Sequence, residues 1–108
     1  MNTIRNNVQL LGHVGQEPEI SILEDGKKMA KFSMATNESY TNAQGEKVEK
    51  TYWHHVSFFN RTAEIVEQYV TKGSKVGIEG KLTTRSWEDE AGMNHYRSEI
   101  VGRELLLL

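Results

Sequence analysis

The sequence predicts an all-β fold, a small barrel of five strands with one helix between strands 3 and 4. Three observations lead to this fold class. Short stretches of alternating apolar and polar residues recur along the 108 residues, separated by turns that contain glycine. Only one stretch, 62–71, spaces its apolar residues as a helix does. Gly77 and Gly80 interrupt a long strand, which suits a strand that bends sharply at a barrel corner.

Three long segments before the helix are predicted to be strands, 4–14, 28–36 and 51–59, and 19–23 is predicted to be a short strand. Gly15 and Pro18 mark a turn after the first segment, and Glu24-Asp25-Gly26 is a hairpin signal, because glycine tolerates a positive φ. The polar segment 41–50 is expected to be a loop that leads into the strand at 51–59.

Asn60 is a plausible cap for the helix over 62–71, and Gly73 is expected to end it. Ile65 and Tyr69, like Val66 and Val70, are four residues apart, so all four are expected near one face of the helix. After the helix we predict a long strand over 74–87 and one or two strands over 95–108. This order is typical of the OB-fold, whose outer face binds oligonucleotides or oligosaccharides.

The composition indicates an ordinary globular chain, and residues 1–108 are expected to form a single OB-fold domain. There is no cysteine, so no disulfide or thiolate metal site is expected. No signal peptide or membrane-spanning run is visible, so we expect a cytoplasmic protein with no membrane partner. The net charge of −2 does not by itself favour nucleic acid as a partner, although a local basic groove is compatible with it.

The segment TYWHHVSFFN, 51–60, contains four of the nine Phe, Trp and Tyr residues of the chain. If it is a strand, Val56 and Phe58 point to one face and Trp53 and Phe59 to the other. The first face supplies a core, so the second pair is free to stack on unpaired bases. For any one aromatic residue, burial in the core or an interface remains the alternative.

The most basic stretch is 71–87, in which Lys72, Lys75, Lys81 and Arg85 outnumber one acid, Glu79. Lys31, Arg61 and Arg97 could extend a phosphate-binding surface, and a merely solvated surface is the alternative for each of these cations.

The adjacent pair His54-His55 does not indicate a metal site, because neighbours on a strand face opposite ways and no HExxH frame is present. No nucleophile motif or phosphate-binding loop suggests an enzyme. We therefore expect no catalytic residues, no metal and no cofactor.

Several separated motifs resemble the bacterial single-stranded-DNA-binding protein family over essentially the whole chain. They are LGHVGQEPE (11–19), FSMATNESY (32–40), WHHVSFF (53–59), 63–87 and the hairpin that continues to Tyr96. The resemblance implies an OB-fold, a homotetramer and wrapping of unpaired DNA, with roles in replication, recombination or repair at the nucleoid.

The resemblance also implies individual roles for residues. Four positions are expected to stack on bases: Tyr40, where the family commonly has Trp, and Trp53, Phe59 and Trp87. Phosphate contacts carry over from the family at Arg61, Lys72 and Arg85, and we also expect them from Lys31, on the charge pattern alone, and from His55. His55 stands where the family often has Arg, and Asn7 where it often has Lys. His54 matches an interface histidine, and Gln9, Leu10 and Leu11 form a strand edge that pairing of subunits would cover.

Family members typically continue into a Gly/Pro/Gln-rich tail with an acidic tip that recruits replication and repair proteins. Residues 1–108 do not include such a segment, so we expect them not to capture tail-dependent partners. Two other functions are alternatives to sequence-tolerant binding of single-stranded DNA. One is an OB-fold interaction module like the primosomal relatives, which loss of the stacking aromatics would favour. The other is a small hydrolase, which no catalytic constellation supports.

Overall fold

The computed structural model describes residues 5–108, and in that range the chain forms six strands and one helix. These are β1 (Val8–Val14), β2 (Glu19–Ile22), β3 (Lys28–Thr41), β4 (Lys47–Phe59), α1 (Asn60–Tyr69), β5 (Lys75–Glu88) and β6 (Asn94–Leu107). Ile4, where the first strand was predicted to begin, lies outside the described residues. The segment after residue 94 is one strand rather than two.

The strands form one sheet in the order β1-β5-β6-β4-β3-β2, and β1 also pairs with β3. That last pairing, His13 with Ala35 and Val14 with Met34, closes five strands into a barrel. The short strand β2 pairs with the start of β3, on the same edge that β1 joins further along and opposite the edge that pairs with β4. The predicted five-stranded barrel with one helix is therefore confirmed, with α1 between β4 and β5 in the numbering of the structure.

Side chains from all sides of the barrel fill its centre. The largest fully buried ones are Phe58, Met34, Val56, Val66 and Val76. The helix contributes Ala63 and Val66 from its buried face. The rings of Phe32 and Phe58 stack with their centroids 6.0 Å apart. The alternation read from the sequence of β4 is thus correct, because Val56 and Phe58 both point into the core.

Two glycines allow strands to approach closely where the barrel curves. A Cβ at Gly12 would collide with the carbonyl oxygen of Ala35, and a Cβ at Gly80 with that of Val101. Gly80 also lies at a break in register between β5 and β6. The expected bend is therefore present at Gly80, whereas Gly77 meets only side chains.

The predicted loop over 41–50 is correct for only half of its residues. β3 continues to Thr41 and β4 begins at Lys47, so only a five-residue turn separates them. The Asn42 side chain accepts hydrogen bonds from the backbone N–H groups of Gln44 and Glu46, which closes this turn. The two strands project as a ribbon with both faces mainly exposed, so its residues lack the apolar alternation that marks a half-buried strand.

The helix boundaries also differ from the prediction. Phe59 takes the N-cap position without a side-chain hydrogen bond, and Asn60 has a φ of 60°, so Asn60 is not the cap. The helix ends at Tyr69, and Gly73 instead serves the following turn, where its φ is 90°. Val66 and Val70 are buried as expected, but Tyr69 is 63% exposed.

Candidate nucleic-acid interface

One surface of the barrel, here called the outer face, is continuous across β3, β4, β6 and β5. Residues that are paired in register point to the same side of a sheet, so the face can be followed from strand to strand. Ser33 pairs with His55, Ser57 with Val101, and Arg85 with Arg97. The ring- or charge-bearing residues on this face are Lys31, Trp53, His55, Phe59, Lys81, Arg85, Trp87, His95, Arg97 and Glu99.

Trp53 presents an open ring on this face. Its side chain is 59% exposed, although the indole lies directly on Gly15, where a Cβ would overlap the ring. Because Gly15 has no side chain, the indole can lie flat on the barrel surface, and the rest of the ring is exposed to solvent. Phe59 lies six residues further along β4, about 20 Å away at the usual rise of a strand, and is half-buried. Two separate stacking surfaces therefore occur on one strand.

Trp87 belongs to a cluster at the tip of the β5–β6 hairpin. Its ring stacks on His95 of the facing strand, with centroids 5.5 Å apart and an angle of 21° between the planes. The guanidinium of Arg85 lies 5.6 Å from the centre of the indole. Trp87 is still 42% exposed, so this ring is held in place and remains accessible.

Asp89 anchors the same cluster. Its carboxylate accepts hydrogen bonds from the His95 ring at 2.7 Å and from the backbone N–H groups of Ala91 and Met93. The bond from His95 and the two backbone bonds hold the pKa of Asp89 below its usual value. His95 was missed by the sequence analysis, because its stacking with Trp87 depends on a cross-strand register that composition does not disclose.

Tyr40 does not lie on the outer face. In the β3–β4 ladder it pairs with Val48, and that pair has the opposite parity to Ala35 and Trp53. Tyr40 is nevertheless 47% exposed near the end of the hairpin, with the Lys50 ammonium 5.8 Å from its ring centre. Of the four aromatic positions, the structure therefore brings three to one face and places the fourth on the other side of the projecting ribbon.

The five predicted phosphate-contacting residues divide in the same way. Lys31, His55 and Arg85 lie on the outer face. Arg61 is exposed in the first turn of α1, and Lys72 is exposed in the turn before β5. The Lys72 backbone N–H donates to the Glu17 carboxylate, which ties this turn to the segment that follows Gly15. Arg85 also forms an ion pair with Glu99 at 3.4 Å, so an acid lies among the cations of the face.

His54 points away from the outer face and is partly buried. Its Nε2 lies 2.9 Å from the hydroxyl of Thr36, its neighbour on the facing strand. Burial, and to a smaller extent the nearby His55, lower the pKa of His54 from its usual value. The ring is therefore kept neutral to lower pH than a free histidine.

The edge strand β1 and its neighbour β5 carry a second exposed surface. A groove of about 420 Å³ is lined by Gln9, Leu10, Leu11 and residues of β5 and β6. Leu11 is 56% exposed and Leu106 is 60% exposed, whereas Leu10 packs partly against the core. Within the described residues, β1 pairs with β3 only at His13 and Val14, which leaves most of that edge of β1 open.

Residues 5–108 place no group of three His, Asp or Glu side chains where it could hold a metal ion. In the same range, no helix is long and apolar enough to cross a membrane.

Comparison with known proteins agrees with this geometry. The model of the single-strand binding protein family matches residues 5–108, which is nearly the whole chain. The chain belongs to this family. A solved structure titled Plasmodium falciparum SSB complex with ssDNA is 34% identical over 100% of this chain and 99% of that one, with a TM-score of 0.92.

A second single-stranded DNA binding protein, a deletion mutant from Thermus aquaticus, superimposes with a TM-score of 0.84. It is 23% identical and aligns with 95% of this chain and 50% of its own, so it supports the fold alone. Together with the family match, these neighbours confirm the predicted OB-fold and the resemblance to the single-stranded-DNA-binding family.

Proposed function

We propose that this member of the single-strand binding protein family binds single-stranded DNA by stacking bases on exposed rings, with little dependence on sequence and without catalysis. The observation that carries the proposal is the placement of Trp53, Phe59 and Trp87 on one barrel face together with cationic side chains. An unpaired base offers a π-face whatever its identity, and stacking contributes about 1–3 kcal/mol per base.

Each ring has a distinct role in this proposal. Trp53 and Trp87 are the more exposed and provide the main stacking surfaces, and Phe59 extends the path along β4. Tyr40 stacks on a part of the strand that passes around the β3–β4 ribbon, since its ring lies on the far side. A bound strand would therefore follow a curved course over the barrel and the projecting hairpin.

Phosphate groups are bound between the rings by the cations. Arg85 lies beside Trp87, and Lys31 and His55 lie on β3 and β4 next to the path from Trp53. Arg61 and Lys72 would contact the backbone at the two ends of the helix, which neighbour Phe59 and the Glu17 turn. Because these contacts release condensed counterions, the affinity should fall as the salt concentration rises.

We also propose that the protein assembles as a homotetramer, with a dimer as the smaller alternative. The open edge at Gln9, Leu10 and Leu11 can pair with the same edge of a second copy, and such pairing removes an exposed strand edge. The exposed Leu11 and Leu106 would be buried in assembly, and His54, on the side opposite the stacking face, would lie at a subunit interface.

Residues 1–108 would form one binding unit that protects unpaired DNA during replication, recombination or repair. Such DNA arises at the nucleoid, so we place the protein there, in the cytoplasm, with no membrane partner and no cofactor.

Fluorescence anisotropy of a labelled oligothymidylate, with duplex DNA of the same length as competitor, tests the proposal. Binding of the oligothymidylate that the duplex does not displace supports it. Equal binding of both, or of neither at low salt, would overturn it. Light scattering tests assembly, and a monomer at micromolar concentration would contradict that part.

A further inference from the structure

A small polar notch opens on the outer face between the two tryptophans. Its walls include Lys31 and Ser33 of β3, His55 and Ser57 of β4, and Arg97 and Glu99 of β6. Gln16 and Glu19 close one side. Its volume is about 200 Å³, below the ~300–1,000 Å³ of sites for drug-sized ligands, so it has room for one planar base and not for a longer ligand.

The notch is lined by cations and acids, and no ion pair within residues 5–108 joins a cation of the notch to an acid of the notch. Glu99 pairs with Arg85, which lies outside the notch, and its side chain is only 19% exposed. Among the ion pairs of residues 5–108, none joins Arg97 to Glu19 or Glu99. A fixed carboxylate and a guanidinium therefore stand two residues apart on β6, about 7 Å along the strand, and point the same way.

This arrangement suits a base better than a phosphate. The notch is lined by two cations, Lys31 and Arg97, and two acids, so it has no net charge that would draw a phosphate into it, whereas its carboxylates accept hydrogen bonds from the N–H groups of a base. Unpaired bases can be recognised on both their Watson–Crick and Hoogsteen edges. Guanine alone combines adjacent N1–H and N2–H₂ donors, which match a carboxylate, with the O6 and N7 acceptors that arginine binds as a pair.

We propose that this notch is a guanine-selective base site within an otherwise sequence-tolerant path. Glu99 accepts from the N1–H and N2–H₂ groups, and Arg97 donates to O6 and N7. His55 of the notch lies two residues from Trp53 on β4. Arg97 of the notch lies two residues from His95 on β6 and pairs in register with Arg85, and His95 pairs with Trp87. The notch therefore lies between the two tryptophans on the course of the bound strand. The inference rests on the proposed binding of single-stranded DNA.

The first test uses the wild-type protein and three short oligonucleotides that differ at one central position. They are an oligothymidylate, the same strand with one guanine, and the same strand with one hypoxanthine, which lacks the N2 amine. The guanine strand should bind at least about fivefold more tightly than oligothymidylate, the lower end of what a bidentate base contact contributes. Hypoxanthine should lose most of this preference.

These results distinguish failure of the proposed binding of single-stranded DNA from failure of the guanine site. If oligothymidylate itself does not bind, the proposed function fails. If it binds and guanine gives no preference, or if hypoxanthine keeps all of it, the guanine site is overturned and the general binding stands. A 7-deazaguanine strand, which lacks N7, should show a reduced preference that reports on Arg97.

The second test assigns the carboxylate with the matched variants Glu99→Gln and Glu19→Gln, which remove the same charge from the same notch. The readout is the ratio of the two affinities, guanine strand to oligothymidylate, for each variant, so a general change in charge cancels. Glu99→Gln should reduce the ratio to about one, and Glu19→Gln should keep it. The role of Glu99 would be contradicted if only Glu19→Gln lost the guanine preference, or if both variants kept it.

Discussion

Phe58 and Phe59 are adjacent and chemically identical, but they should respond in opposite ways to truncation. Phe58 is fully buried, stacks on Phe32 and leaves no room for a Cβ at Gly102, so it is enclosed on several sides by a closed barrel. Such walls cannot collapse into the space that Phe58→Ala leaves. The substitution should therefore cost about 3–5 kcal/mol, a large part of the stability of a small domain.

Thermal unfolding and DNA binding measure the two effects separately. At roughly 4 °C or more per kcal/mol for a domain of this size, Phe58→Ala should lower the melting temperature by at least about 12 °C. Phe59→Ala, at a half-buried position on the outer face, should change it far less and should weaken binding of single-stranded DNA by about 1–3 kcal/mol. Val56→Ala should destabilise like Phe58→Ala, but less, because fewer buried atoms are removed.

The opposite pattern would refute the reasoning. If Phe59→Ala unfolds the protein while Phe58→Ala keeps the fold and loses binding, the assignment of core and binding faces is wrong. Both variants are compared at one protein concentration, since assembly makes the melting temperature depend on concentration.

Three further predictions follow from single contacts. Gly15→Ala places a methyl group where the Trp53 indole lies, so anisotropy should show about fivefold weaker binding with a nearly unchanged melting temperature. His95→Ala removes the ring that supports Trp87 and should weaken binding, and His95→Phe should restore it; equal loss in both would contradict a stacking role. His54 takes up a proton more readily in the unfolded chain, because burial lowers its pKa in the folded protein, so stability should fall as the pH drops below about 6.5. His54→Gln should flatten that part of a plot of melting temperature against pH, and an unchanged slope would exclude His54 as its source.

The sequence was most informative where a strand has one buried face. Alternation in β4 distinguished Val56 and Phe58 from Trp53 because the core accepts only one parity. The same reasoning failed at 41–50, where a ribbon exposed on both faces needs no apolar residue at alternate positions. It also failed at Asn60, since cap preference does not reveal that this residue takes a left-handed backbone conformation.

The sequence was sufficient to predict the aromatic residues of the candidate site, but not the contacts between strands that hold them. Trp53, Phe59 and Trp87 follow from parity and from family motifs. His95 supports Trp87, Gly15 lies under Trp53, and Glu99 pairs with Arg85, and each of these contacts joins two different segments of the chain. They depend on strand register and barrel curvature, which become visible only in the folded chain.

The intrinsic tryptophan fluorescence of the protein, titrated with poly(dT) at several salt concentrations, tests the central claim most directly. The chain has two tryptophans, Trp53 and Trp87, and both lie exposed on the outer face. Bases stacked on these rings should quench the emission, and the affinity obtained from the quenching should fall steadily as salt increases. The absence of quenching at low salt would contradict the proposed binding of single-stranded DNA by base stacking.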